Sequence, residues 1–352
     1  MTSKENMSTQ AVIDYYGKTL ETNKNLKTSA CCTAEAMPTH LRLILKDIHP
    51  EVLDKFYGCG SPIPSELAGK TVLDLGSGTG RDCFMLSKLV GPQGRVIGVD
   101  MTDEQLAVAQ KHIPYHMEKF GFQKPNVTFK KGYIEDLKSL DIADNSVDVV
   151  VSNCVLNLSP RKEQTFSEIF RVLKPGGELY FSDVFTGRRV PEKLTQDSVL
   201  LGECLGGALY IEDFRRTLLD LGCADYRVVS KSKIELTDAD IFRKAGMIDF
   251  YSMTIRAFKL KTEDRCEDYG QVAYYLGTIP EAPHSFLLDD HHLLKAGMPM
   301  PVCSNTAAML KDTRYSKHFK ITGDLSVHYG LFYCAPPTSN ASASDEISGA
   351  CC

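Results

Sequence analysis

Two sets of residues have the types and the spacing to do chemistry. The first is the run VLDLGSGTGRD at 72–82, where an apolar stretch reaches Asp74 and is followed by Gly76, Gly78 and Gly80 at alternate positions. Backbone without side chains lets a polar ligand sit directly against the turn after a buried parallel strand, so this run marks a nucleotide-type cofactor site. A second apolar run, RVIGVD at 95–100, ends in Asp100, an acid placed to accept hydrogen bonds from both hydroxyls of a ribose. The second set is the cysteines. There are 12 of them, and Cys59 in FYGCGSP, Cys154 in SNCVLNL and Cys204 in GECLGGALY lie on three separate segments that lead to one sheet edge. Thiolates are nucleophiles and ligands for soft ions, so their convergence points to metal, metalloid or redox chemistry.

The glycine spacing is not the dinucleotide fingerprint G-x-G-x-x-G. The third glycine falls one residue early, and Arg81 stands where that fingerprint has glycine. The pattern D-x-G-x-G-x-G resembles instead the first motif of the class I S-adenosylmethionine-dependent methyltransferases. That resemblance implies an α/β fold, a doubly wound Rossmann-like sheet, with S-adenosyl-L-methionine as methyl donor. It assigns cofactor contacts to Asp74, Gly76, Gly78, Gly80, Asp100, Met101, Ile134, Glu135 and Asn153, with Tyr57 as a further contact.

The elements that must position these residues alternate strand and helix from 66 onward. TVLDL (71–75) and RVIGV (95–99) read as strands, and 103–120 as one helix with Thr102 at its N-cap and a kink at Pro114. NVTFKKG (126–132), SVDVVVSN (146–153) and ELYFSDVF (178–185) are further strands. The last two are joined by a helix at 163–173 and a turn at Lys174, Pro175, Gly176 and Gly177. A helix at 200–222 and an antiparallel pair at 225–236 and 250–260 complete the pattern.

In an open α/β sheet, ligands sit at the carboxyl ends of the strands, so the residues after 146–153 face the reacting group. No Asn-Pro-Pro-Tyr-type run for amine substrates stands there, and no His-Glu or Lys-Tyr pairing offers a base for an oxygen or carbon acid. What stands there is the thiol of Cys154. Through LKTSACC (26–32), YGCG (57–60), DLGSGTGRD (74–82), SNCVLNL (152–158), RVLKPGGELYFSDVF (171–185) and GECLGGALY (202–210), the chain resembles the arsenite methyltransferases. The resemblance implies that Cys59, Cys154 and Cys204 bind trivalent arsenic, and that Cys31 or Cys32 pairs with Cys59 as a redox partner.

Three thiolates suit arsenic, whose trigonal pyramid keeps a lone pair on the remaining face; that pair is the nucleophile, so no catalytic base is required. The protein's task is aim, a proximity effect that can supply about 7 to 11 kcal/mol. Methyl transfer takes arsenic to the pentavalent state, which a nearby dithiol can reverse by thiol-disulfide exchange, the glutathione or thioredoxin system then restoring the thiols. Two other functions fit parts of this pattern. One is methylation of a carbon acid such as a quinone ring, which shares the sheet motifs and needs no convergent cysteines. The other is non-catalytic binding of zinc or metalloid by a thiol-rich protein that retains the cofactor fold.

At 352 residues the chain holds more than one core. Its expected divisions are an N-terminal helical segment with the redox cysteines (1–65), the methyltransferase domain (66–260), a small irregular C-terminal domain capping the sheet (261–335) and a disordered tail (336–352). With 40 Lys and Arg against 45 Asp and Glu, the net charge of −5 gives no electrostatic argument for nucleic acid. No apolar stretch reaches membrane-spanning length, so the expected setting is soluble and cytoplasmic. Cys83, Cys223, Cys266, Cys303 and Cys334 have no spacing that marks a metal site and read as structural, and the pair His291-His292 reads as a solvated loop.

Overall fold

Strand β1 (Thr71–Leu75) and strand β4 (Val147–Asn153) are near-continuous apolar runs with almost every residue buried. Such runs belong in the middle of a parallel sheet covered on both faces. The computed structural model describes residues 37–56 and 61–333 and places these strands side by side. The first 36 residues of the expected N-terminal helical segment, with Cys31 and Cys32, and also Tyr57, Cys59 and the tail, lie outside the described residues.

The sheet is completed by β2 (Arg95–Asp100), β3 (Val127–Lys131), β5 (Leu173–Thr186), β6 (Leu209–Tyr210), β7 (Tyr226–Lys233) and β8 (Phe250–Phe258). Its order is β3-β2-β1-β4-β5-β8-β7, with β6 beside β5; β1 to β5 run parallel, and β8 is antiparallel to both β5 and β7. One face is covered by the helices Arg81–Val90, Asp103–Lys111 and Ile113–Phe120, which bury Phe84, Val108 and Phe120. The other is covered by the helices Lys162–Val172 and Ile211–Asp220, which bury Phe166, Ile169 and Phe214. The order reverses direction between β1 and β4, and the crevice at such a reversal is where an open α/β sheet binds ligands.

Four local expectations change. The helix at 103–120 is two helices that meet at His112, because Pro114 in the first turn of the second has no N–H to carry the first one onward. Thr102 stands at the N-cap, yet its side chain makes no capping bond; its backbone N–H goes to Asp100 Oδ1 at 2.9 Å. Residues 174–177 are absorbed into β5, where the register against β4 slips between Val147 and Val149. The single helix expected at 200–222 is instead a short helix, Ser198–Gly202, a turn at Cys204, strand β6 and the helix Ile211–Asp220.

The region after β8 is more regular than its sequence pattern. It has a three-stranded sheet of Pro299–Pro301, Val272–Tyr275 and Phe319–Thr322, two two-stranded ribbons, and the helix Ser304–Lys311. Its core joins Tyr275, Phe286, Leu294 and Tyr315 to Phe258 of β8. It docks on the sheet through buried charges. Glu178 of β5 accepts from Arg256 Nε of β8 at 2.5 Å and pairs with Arg314, while Arg227 of β7 lies 2.7 Å from Asp225 and 3.2 Å from Asp289. The expectation for the histidine pair is half corrected: His292 is buried, with Nδ1 2.7 Å from Asp289 Oδ1, whereas His291 is exposed. Among the described residues no helix is long and apolar enough to cross a membrane.

Candidate active site

The turn after β1 wraps the carboxyl ends of the neighbouring strands. Gly76 and Ser77 donate to Val99 O at 2.8 and 3.0 Å, and Gly76 has φ +75°. A Cβ built on Gly76 would stand 2.3 Å from Val155 Cγ2, so glycine is required both by the backbone and by the residue that follows Cys154. The cofactor turn and the thiol turn are thus in contact.

Asp74, Gly76, Gly78, Asp100, Met101, Ile134, Glu135, Asn153 and Cys154 line one cleft at this edge of the sheet. Gly80 is set back at the start of the helix Arg81–Val90, and Cys204 is not among the lining residues. Asp100 accepts from Gly78 N and Thr102 N, each at 2.9 Å, which leaves each carboxylate oxygen a further lone pair for a ligand hydroxyl. Glu135 is held by Ser159 Oγ at 2.5 Å, with Gln164 Nε2 on its carbonyl at 2.9 Å.

Of the acids here Asp82 is paired with Arg81, whereas Asp74 and Asp100 form no ion pair among the described residues. Burial, with the neighbouring Asp82 charge, pushes the Asp74 carboxyl up to about 8, against the hydrogen bond that Cys83 Sγ donates at 3.2 Å. Burial also raises Asp100, despite its backbone donors. The Cys83 thiol is in turn pushed well above its ordinary value by burial and by Asp74, which makes it an inert packing residue as its place on the first helix suggests.

Residues without an assigned role in the sequence complete the floor. Asp82 takes Arg81 Nε at 2.8 Å and Asn153 Nδ2 at 3.0 Å, and the Arg81 guanidinium lies 3.2 Å from the centre of the Phe56 ring. Thr79 Oγ1 donates to Val52 O at 2.9 Å, so the chain leading to Phe56 is fixed on the glycine turn. Asp82 stood in the motif itself; Phe56 and Val52 gave no signal, since only the fold brings them here.

Cys154 and Cys204 share an unusual backbone. Both are in the left-handed region, with φ +57° and +62°, where a side chain costs about 1 to 2 kcal/mol. Cys204 follows the helix Ser198–Gly202 at the position where helices commonly end in glycine. Its Sγ lies 3.5 Å from Cys154 O, and both residues are buried. Cys154 and Cys266 are each engaged in a disulfide bond in this structure. For Cys266 this adds a bond to the structural role expected of it; for Cys154 it means that the sulfur must be reduced before it can act as a thiolate.

The sheet order, the glycine turn and the acid closing β2 define a class I methyltransferase. The model of a methyltransferase domain matches residues 66–222, and the model of the arsenite methyltransferase C-terminal domain matches 268–346. An arsenite methyltransferase from Aquipseudomonas alcaligenes is 55% identical over 324 residues, 92% of this chain and 93% of the relative. One from Homo sapiens is 44% identical over 311 residues, 87% of this chain and 82% of the relative. The crystal structure of an arsenic(III) S-adenosylmethionine methyltransferase from Chlamydomonas reinhardtii superposes with a TM-score of 0.82 at 48% identity, covering 85% of this chain and all of that one. The chain belongs to the arsenite methyltransferase family.

Proposed function

We propose that this enzyme methylates trivalent arsenic bound by the thiolates of Cys59, Cys154 and Cys204, as part of arsenic detoxification in the cytoplasm. When bound, S-adenosylmethionine supplies an electrophilic methyl group on a sulfonium. Asp100 would take its ribose hydroxyls, the turn at Gly76 to Gly80 would leave room for its polar chain, and Ile134 and Glu135 would flank its base. Met101, Asn153 and Tyr57 would complete the contacts. The uncompensated acids at this edge favour a cationic donor, because a positive charge restores their ionised forms.

The protein holds arsenic by three As–S bonds and leaves its lone pair facing the cleft. That pair forms the As–C bond as the S–CH₃ bond breaks, its electrons staying on sulfur. No side chain has to remove a proton. Arsenic leaves the step oxidised by two electrons; the dithiol of Cys59 with Cys31 or Cys32 returns them and becomes a disulfide, and glutathione or thioredoxin reduces it.

One observation carries this reading. Two cysteines from distant segments, both in left-handed backbone, meet where the cofactor turn touches the thiol turn. Residues held in sparsely populated backbone states cluster at functional sites. The test is arsenite methylation by Cys154→Ser and Cys204→Ser, with S-adenosylmethionine binding measured alongside. Activity is expected to vanish in each while cofactor binding persists; near-normal turnover by either would remove the site.

A further inference from the structure

Asn157 is fully buried, yet half of its polar side chain is unanswered. Its Nδ2 donates to Cys204 O at 2.9 Å, and its Oδ1 has no hydrogen-bond partner among the described residues. A leucine would occupy a similar volume without leaving a buried acceptor unmade, so the carboxamide is kept for the bond it does make.

That bond crosses the site. Asn157 follows Cys154 on the loop after β4, and its backbone N–H donates to Asp183 Oδ2 at 3.1 Å on β5. Asp183 Oδ1 accepts from Val184 N at 2.8 Å, and the charge of Lys162, whose Nζ donates to Ser159 O at 3.1 Å on the same loop, acts on it. Asn157 therefore fastens the Cys154 loop to β5 with its main chain and grips the Cys204 turn with its side chain. On the far side Gly207 makes room: a Cβ there would lie 2.0 Å from Asn157 O.

We infer that Asn157, braced by Asp183, is a positioning residue that sets the Cys154 and Cys204 turns relative to each other for arsenic. This rests on the reading that these two cysteines are arsenic ligands. The mechanism follows from the backbone. The Cys204 turn is closed by its own backbone, with Leu205 N and Gly206 N on Leu200 O at 2.8 Å, and its carbonyl is the point at which Asn157 holds that preformed turn to the Cys154 loop. Without the carboxamide the turn is no longer tied to that loop, and the Cys204 sulfur leaves the place from which it shares an arsenic atom with Cys154. Asn157 is absent from the cleft lining, so its loss does not touch the cofactor.

The experiment compares Asn157→Leu, Asn157→Asp and Asp183→Asn with the wild-type chain and with Cys204→Ser, all under reducing conditions. Each is measured for kcat and KM with arsenite, for S-adenosylmethionine Kd by calorimetry, and for Tm. Asn157→Leu is expected to lower kcat by about 30-fold or more, on the scale of a misplaced reacting group. Asn157→Asp, which sets an anion against the Cys204 carbonyl, should do the same, and Asp183→Asn, which keeps an acceptor in place, should lose less. Cofactor Kd should stay within about twofold in all of them, a split between substrate and cofactor functions that a general loss of structure does not give. Folded Asn157 variants with wild-type kcat, beside an inactive Cys204→Ser, would overturn the inference and leave the cysteine site standing. An active Cys204→Ser would overturn the cysteine site itself. Should Asn157→Leu fail to fold, Asp183→Asn decides: a kcat loss with unchanged cofactor Kd supports the inference, and an unchanged kcat refutes it.

Discussion

The two ends of the sheet treat buried charge in opposite ways. Where the C-terminal module docks, acids and guanidinium groups answer each other: Glu178 meets Arg256 and Arg314, and Arg227 meets Asp225 and Asp289. Although burial works against it, the bond to His292 and the Arg227 charge hold the Asp289 carboxyl well below the usual range. At the carboxyl ends of the strands, burial instead pushes Asp74 to about 8 and Asp183 to about 7. A seam that must stay shut is internally neutralised. A site that receives a cation keeps carboxyls whose ionised forms little nearby stabilises, and acids raised in this way at a cleft mark candidate functional sites.

The sharpest way to break this contrast is to unbalance the seam. Glu178→Gln leaves two buried guanidinium groups facing a neutral amide, and losing one partner of a buried pair costs about 3 to 5 kcal/mol. Tm should fall by roughly 6 to 15 °C on the scale for domains of this size. Cofactor Kd measured below the new transition should be unchanged; a joint loss of both would mean that the two ends are not independent.

The counterpart at the cofactor end is Asp100→Ala. S-adenosylmethionine affinity should weaken by about 1.5 to 3 kcal/mol, the usual scale for hydrogen bonds to a charged group. Calorimetry checks it. An unchanged Kd would mean that the end of β2 does not meet the ribose.

A smaller effect sharpens the role of titration in the fold. Burial pushes His116 down to about 4, where its ring stacks 3.6 Å from Phe84. A base with a lowered folded value gives stability that is complete above its ordinary 6.5 and is lost as pH falls from there towards 4. Tm should decline over that window, and His116→Phe should flatten the decline by about 2 to 4 °C at its acid end. The smallest effect belongs to the tail. Deleting 338–352, which carries Cys351 and Cys352 in a stretch rich in Ser and Ala, should leave the maximal rate within about threefold if, as expected from its composition, it gives those thiols no fixed aim. A hundredfold loss in the folded truncation would put those thiols in the reaction.

The parallel strands were legible in the sequence because TVLDL, RVIGV and SVDVVVSN are apolar runs bounded by turn residues, and all three fall where the structure has β1, β2 and β4. The glycine turn and the two acids are a local motif, so the cleft was legible too. The break at Cys204 was not. Its segment looks helical, and what ends the helix is a left-handed cysteine supported by Asn157, a residue 47 positions earlier. The C-terminal strands were hidden for another reason: at two to four residues each they are too short for an alternating pattern to register. Asp183 and Asn157 sat in plain view in SNCVLNL and FSDVF, but a brace shows itself only when the strands are side by side.

The backbone at positions 154 and 204 also bears on how this sequence can change. Glycine would sit in either turn without strain, and the same substitution would remove a sulfur. At 204, selection for heat resistance alone would gain from relieving that strain, whereas at 154 it would also forfeit a disulfide. If both sulfurs hold the substrate as proposed, a library screened for melting temperature should be counter-screened at these two codons.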